Sequence, residues 1–444
     1  MSPGKGVRAL AVAVLMLLIP IVARAHAYII ATSPAQGGRV TTPPREVDIQ
    51  FDEPVTLESR DALVVRDSGG AVIPCAGGAH IDPRDATRLV CSFASRLARG
   101  SYTVAWRVTS ADTHVVHGVF SFGVEVAAVA PAQGAAPGSA YDPSGPLATL
   151  TRWFTLVGVA ALVGATLFER VVLDERAFRA QSTSALEVLR GCCTWLRAGG
   201  ANLAIVAGVG ALVVQTAAAT GTDAARAVAL APTIVVGSIW GVAWLIRTCS
   251  LIIAALLAQT PPSLATLGLC GLVIATLSAS GHAAASGSAI RAIGPFLADW
   301  LHAAAAAVWS GGLAVFAFGT RPALATLSSR GERYEFTSTV IARFSPIAIA
   351  CVAVLAASGA YAVVTRVGSV SALTDGLYGR VILMKTALFF LLIAFGYANR
   401  RQGHEVRGGF ARSASSAAAI ALVVLFLSGL LGGLAPPVPI GGTL

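Results

Sequence analysis

The sequence predicts a small all-β sandwich or barrel followed by an all-α membrane bundle of eight transmembrane helices. Three observations predict this order. Short apolar runs that alternate with polar residues fill 26–126, a pattern typical of half-buried strands. A stretch rich in Ala, Pro and Gly follows over 127–145, as in a flexible linker. From 146 to 436 the chain consists largely of apolar runs of about 20 residues, the length that spans a bilayer, and a short tail, 437–444, ends it.

The first 25 residues have the pattern of a secretory signal peptide. Lys5 and Arg8 precede an apolar run, and 23–25 read Ala-Arg-Ala, a small-x-small cleavage signal. We expect cleavage after Ala25, which makes His26 the first residue of the mature chain. Its α-amino group and imidazole would then offer two nitrogen donors to one ion, an arrangement that suits Cu(II). The alternative is that His26 is simply the residue that follows a cleavage site.

Five alternating runs within 26–126 predict the strands of a domain of about 100 residues. Turn signals rich in Gly, as at 67–70 and 76–78, separate some of them. The predicted strands are 47–55, 62–65, 87–93, 102–108 and 115–126.

Cys75 and Cys91 are the only cysteines of this domain. An exported domain folds in an oxidising compartment, so we expect a disulfide between them. The alternative is two buried free thiols.

Asp112 and His114 are two residues apart. In an extended segment they project to the same face and can address one ion together. With His26 they would supply three nitrogens and one oxygen, a tetragonal Cu(II) set. The alternative is that both are solvated residues at a strand end. Glu53 is either an outer ligand of this ion or an exposed strand charge.

Charge separates the two parts of the chain. The whole sequence carries 32 Lys plus Arg against 22 Asp plus Glu. Residues 26–145 hold nine Arg and no Lys against twelve acidic residues, so the positive excess belongs to the apolar part. A nucleic-acid partner would need a soluble basic face, and we therefore expect the bilayer, not a nucleic acid, as partner.

The eight predicted spans are 147–168, 199–219, 232–256, 263–281, 294–317, 339–363, 380–399 and 414–434. If the β domain is exported, the first span runs inward and most arginines between spans fall in inner loops. The outer loops hold only Arg226, Arg291, Arg366 and Arg380. We expect a multi-pass protein of the bacterial inner membrane, with the β domain in the periplasm.

Polar residues within the predicted spans are candidates for function. His282 ends the fourth span and His302 lies about two turns into the fifth, so both could line one outward-facing cavity. Asp299, three residues before His302, could orient its ring or act as a ligand. The alternative is an interfacial loop histidine and a helix-to-helix hydrogen bond. Arg247 is either buried mid-span or, if the third span is shifted, near the inner interface.

The sequence also resembles a known pair of families. The His26-Ala27 start, Ser33-Pro34, 51–55 (FDEPV) and 110–122 look like the CopC periplasmic copper-binding domain. This resemblance implies an Ig-like fold and Cu(II) binding by His26, Asp112 and His114. Unlike some CopC proteins, the exported domain has no methionine for a Cu(I) site, since the methionines are Met1, Met16 and Met384.

The membrane half resembles the CopD family through three motifs taken in order. They are 343–345 (RFS), Ser358-Gly359 and Asn399-Arg400. The resemblance implies copper uptake across the inner membrane by a CopC-CopD fusion protein, with a periplasmic copper donor as a further partner.

We therefore expect copper capture and inward transport, without catalytic residues or enzyme activity. No phosphate-binding Gly-Lys-Ser/Thr loop occurs in the sequence, so ATP on this chain does not drive it. One alternative is a membrane-anchored copper-binding or sensing protein without transport. A second is a copper or haem redox membrane protein, in which His282 and His302 would be the intramembrane ligands.

Overall fold

The computed structural model describes residues 29–51, 53–57, 62–110, 115–129, 145–178, 182–220, 222–280, 289–367, 373–374, 376–402 and 409–434. Within these ranges the chain forms a β domain and a bundle of α-helices. The predicted signal peptide and most of the predicted linker lie outside them.

The β domain is a sandwich of two sheets. Its strands are β1 Ile29–Ser33, β2 Arg39–Val40, β3 Glu46–Phe51, β4 Val55–Thr56, β5 Leu63–Asp67, β6 Val72–Ile73, β7 His80–Asp82, β8 Asp85–Ser92, β9 Gly100–Ser110 and β10 Val115–Val124. One sheet has the order β1-β3-β8-β7, and the other has the order β2-β10-β9-β5-β6 with β4 also paired to β9. The five predicted strands correspond to β3, β5, β8, β9 and β10, and the short edge strands were not predicted.

Alternating side chains of the two sheets form the core of the sandwich. In β3, Val47, Ile49 and Phe51 are buried while the residues between them are not. This period of two is what a sheet with one buried face requires. Cys75 and Cys91 are joined by a disulfide that ties the turn after β6 to the buried end of β8.

The membrane half is helical. The helices are α1 Pro146–Leu167, α2 Thr183–Thr220, α3 Ala224–Gly237, α4 Ile239–Leu256, α5 Leu264–Ala279, α6 Ala289–Ala325, α7 Arg330–Arg366, α8 Leu377–Gln402 and α9 Gly409–Leu431. α7 contains Pro346, which has no N–H to donate to the carbonyl four residues earlier.

Seven helices of the described chain are long and apolar enough to cross a membrane, one fewer than predicted. The difference lies at the predicted span 263–281. Its helix, α5, has only 16 residues, about 24 Å at 1.5 Å per residue. Ser263 and Ser280 cap this helix at its two ends, so within the described residues it is shorter than the other seven.

Two other predicted boundaries were wrong. The span 232–256 is divided at Ser238, whose extended backbone and side-chain bond to the N–H of Gly241 start α4. The span 199–219 is the second half of α2, which at 38 residues is about 57 Å long. Arg190 and Arg197, which fall between the first two predicted spans, therefore lie on this helix.

Helix α1 is held at the centre of the bundle by glycine contacts. A Cβ on Gly158 would overlap the carbonyl oxygen of Gly200 in α2, and one on Gly164 would overlap Cα of Gly311 in α6. Such close backbone approach is how membrane helices gain packing without a hydrophobic driving force. Gly311 belongs to the stretch 309–312 (WSGG), whose small residues permit this close approach.

The C-terminal end of α1 passes into a π-helical turn, Phe168–Val172. Arg343 of α7 donates to the carbonyls of Val172 (2.8 Å) and Val171 (2.5 Å). These are carbonyls that a helix end leaves without a helical partner. Glu169 of the same turn pairs with Arg197, which is only 2% exposed, at 3.1 Å. The turn therefore joins α1, α2 and α7.

We predict that Cys75 and Cys91 of exported protein resist alkylation until a reductant is added. Reduction should also destabilise the β domain by about 3 kcal/mol, because the bridge closes a loop of roughly 15 residues. Mass spectrometry after alkylation in denaturant measures this, with the free thiol of Cys249 as internal control. Alkylated thiols at both positions would contradict the prediction.

We also predict that Gly311→Ala lowers the melting temperature of the purified protein. The new Cβ would overlap the carbonyl oxygen of Ala160 and force α1 and α6 apart, and overpacking of this kind costs about 1–3 kcal/mol. Gly268→Ala in α5 is the matched control, since its Cβ would meet open space. Equal melting temperatures for the two variants would show that the contact does not constrain the bundle.

Candidate metal centre

The segment with Asp112 and His114 connects β9 and β10. These strands pair along their whole length, from Val115↔Thr109 to Val124↔Gly100. Residues 111–114 themselves lie outside the described residues, as does His26. Their grouping around one ion therefore remains a prediction.

The described residues that flank these three candidates lie at one end of the sandwich. Ile29 pairs with Phe51, whose ring packs on Trp106 of the opposite sheet at a centroid distance of 5.4 Å. Four residues after Phe51, Val55 pairs with Ser110, the last residue of β9. His26, three residues before Ile29, and the segment 111–114 therefore both adjoin described residues at this end of the sandwich.

Two charged side chains are buried near this end of the sandwich. Glu53 is 6% exposed and lies between β3 and β4. The reading of Glu53 as an exposed strand charge was wrong. Arg107 of β9 is buried as well. Buried charges are retained where partners or an ion compensate them.

The same end of the β domain touches the membrane half. The Thr109 hydroxyl donates to the carbonyl of Ala219, one residue before the end of α2, at 3.2 Å. Thr109 and Ser110 are both buried. The loop that carries Asp112 and His114 thus starts beside the end of a membrane helix.

His302 lies inside the bundle on α6. It is nine residues, about 14 Å, beyond Ile293, where the apolar part of this helix begins. Its Nδ1 is 2.9 Å from the hydroxyl of Ser358 in α7. The sequence indicates Ser358 only as part of a family motif. A single sequence gives no sign that two residues 56 positions apart are in contact.

Asp299 does not orient His302. Its carboxylate instead lies 3.8 Å from the guanidinium of Arg366 in α7 and interacts with Lys385 in α8. These five residues, Asp299, His302, Ser358, Arg366 and Lys385, are called the intramembrane polar cluster below. The cluster joins three helices, and its two cations exceed its one carboxylate.

Arg247 lies in the middle of α4 and is 5% exposed. The reading that places it near the inner interface was therefore wrong. Its guanidinium donates to the carbonyl of Thr276 at 3.4 Å and to the hydroxyl of Ser280 at 3.3 Å. His282, two residues further along, falls in the stretch 281–288, which the structure does not describe.

Among the described residues, no three His, Cys, Asp or Glu side chains are grouped so that they could hold a metal ion. Of the five cysteines in the membrane half, Cys193, Cys270 and Cys351 are buried, Cys192 is half-buried and Cys249 is exposed. Most of them therefore pack in the bundle, as free cysteines commonly do.

Three protein families match the chain, each over a separate range. The CopC domain matches residues 29–125, the copper resistance protein D-like N-terminal domain matches 142–293, and copper resistance protein D matches 338–431. The first range contains the sandwich, and the other two contain most of the bundle.

Three similar proteins agree with these matches. Copper transport protein CutJ of Bacillus subtilis (strain 168) is 25% identical over 459 residues, which cover 96% of this chain and 77% of that protein. Copper resistance protein D of Pseudomonas syringae pv. tomato is 33% identical over 45% of this chain and 70% of that protein. Copper resistance protein C of the same organism is 30% identical over 24% of this chain and 88% of that protein. The resemblance seen in the sequence is thereby confirmed: the chain belongs to the copper resistance protein C and D families, whose domains it carries in one polypeptide.

Proposed function

We propose that this multi-pass protein captures Cu(II) with its β domain on the periplasmic side of the inner membrane and passes copper inward through the helical bundle. The observation that carries the proposal is the contact between Thr109 and Ala219. It supports a direct path, because the strand end that leads to the predicted ligands touches a membrane helix. The name of the relative that covers most of the chain, a copper transport protein, also supports transport.

Capture would use the α-amino group and imidazole of His26 with Asp112 and His114. Nitrogen and carboxylate donors in a tetragonal set favour Cu(II) over Cu(I). The lack of methionine in the exported domain supports the same oxidation state. The β domain would receive its copper from a copper-carrying protein of the periplasm.

Passage would use His302 and His282 as ligands on the outer side of the bundle. A copper ion that leaves water needs replacement ligands inside the apolar bundle. His302 carries an imidazole at that depth, within the intramembrane polar cluster. The concentration of arginine in one set of the loops between predicted spans supports an orientation with those loops in the cytoplasm and the β domain in the periplasm.

We predict that one residue added ahead of His26 weakens Cu(II) binding as severely as His114→Ala does. Each change removes a ligand of the chelate, so the Kd should rise by more than about tenfold, or 1.4 kcal/mol. A competition titration on the purified protein measures this. His80→Ala is the matched control, since His80 is an exposed histidine of the same domain. Unchanged affinity in the extended protein would rule out the proposed ligand set.

We further predict that His302→Ala lowers copper accumulation by cells at least about tenfold, because a desolvated ion loses a direct ligand. Cu(II) binding by the β domain should remain intact. His404→Ala is the control, because His404 lies between the seventh and eighth predicted spans and outside both. All variants are compared at equal abundance in the membrane.

Two results would overturn the transport proposal. Wild-type accumulation in the His282→Ala/His302→Ala double variant would favour a membrane-anchored copper-binding or sensing protein. A Soret band in the visible spectrum of the purified protein would favour a haem redox protein.

A further inference from the structure

The hydrogen bond between His302 and Ser358 determines which nitrogen of His302 is free. The Ser358 hydroxyl oxygen lies 2.9 Å from Nδ1 of His302 and 2.6 Å from the carbonyl oxygen of Val354, four residues earlier in α7. A hydroxyl has one proton to donate and two lone pairs that accept. The position of the hydroxyl proton of Ser358 therefore determines whether Nδ1 of His302 carries a proton.

The carbonyl oxygen of Val354 can only accept. At 2.6 Å from another oxygen, it needs the hydroxyl proton between the two atoms, since two facing lone pairs would repel. This bond back to the carbonyl four residues earlier is the usual way in which serine satisfies its hydroxyl within a helix. Ser358 then has only lone pairs left for His302, so Nδ1 of His302 must carry the proton. In the neutral ring, Nε2 is the nitrogen without a proton.

We infer that Ser358 is a positioning residue that holds His302 in the Nδ1–H tautomer and leaves Nε2 as the copper ligand. The inference rests on the proposed role of His302 in copper passage. Metal-binding histidines characteristically donate their second ring N–H to an oxygen that fixes tautomer and ring orientation. Here the accepting oxygen is the hydroxyl of Ser358 in the neighbouring helix α7.

The rest of the intramembrane polar cluster supports this assignment. Asp299, the residue that would otherwise hold the ring, pairs with Arg366. Arg366 and Lys385, as cations, have no lone pair to offer an ion. Within the cluster, Nε2 of His302 is therefore the neutral nitrogen donor, and imidazole is a donor that suits copper.

The tautomer can be observed directly by NMR on full-length protein labelled with 15N-histidine, with the His302 signals assigned by their loss in His302→Ala. We expect a protonated Nδ1 and an unprotonated Nε2 in the wild type. Ser358→Ala removes the acceptor and should move the ring toward the Nε2–H form, and cellular copper accumulation should fall about tenfold. Ser358→Thr keeps a hydroxyl and its bond to the helix backbone, so the tautomer of His302 and copper accumulation should both be as in the wild type.

Ser345→Ala is the matched control. Ser345 makes the same kind of bond to the carbonyl of Ile341, at 2.7 Å, about 20 Å along the same helix. It should leave both the NMR signals of His302 and copper accumulation unchanged.

A protonated Nε2 in the wild type would overturn the inference. So would a Ser358→Ala variant with unchanged tautomer and full copper accumulation, even if His302→Ala abolishes accumulation and the proposed function stands. Wild-type accumulation in His302→Ala would overturn the proposed function itself, and with it the role of Ser358, whichever tautomer is observed.

Discussion

Direct backbone contact at the glycines of α1 is the constraint on which the bundle depends. Gly158 meets Gly200 of α2, and Gly164 meets Gly311 of α6, with no room for a Cβ at either crossing. The second contact also sets the depth of the candidate copper ligand. His302 lies nine residues, about 14 Å, from Gly311 on the same straight run of α6. A shift of α6 against α1 would therefore move His302 away from Ser358.

The bundle compensates its internal charges in different ways. Arg197 is buried and has a half-buried carboxylate partner, Glu169. Arg247 instead donates to a backbone carbonyl and a serine hydroxyl. In the intramembrane polar cluster Asp299 faces the cations Arg366 and Lys385. An entering copper ion would thus meet a positive surplus there, and a neutral imidazole binds a metal ion without adding to that surplus.

Sequence patterns predicted the architecture well because strand alternation and apolar spans are local properties. They failed where one side chain determines a helix boundary, as at Ser238, which begins a new helix inside an apolar run. Nor could they predict which residues of different helices are in contact. The sequence singled out His302 by its depth and left open a helix-to-helix hydrogen bond, which the structure confirms. It offered Asp299 and not Ser358 as a partner, because spacing on one helix says nothing about the neighbouring helix. The burial of Glu53 likewise depends on the packing of both sheets.

Helix α7 connects the C-terminal end of α1 to the proposed copper ligand His302. Arg343 holds the carbonyls of Val171 and Val172, and Ser358, about 22 Å further along, holds His302. Pro346 lies between these two contacts, where the missing N–H makes a helix easiest to bend. Pro346 therefore separates the part of α7 that is bonded to α1 from the part that is bonded to His302 of α6. A bend of α7 at this proline would change the contact with His302 and leave the contact with α1 in place.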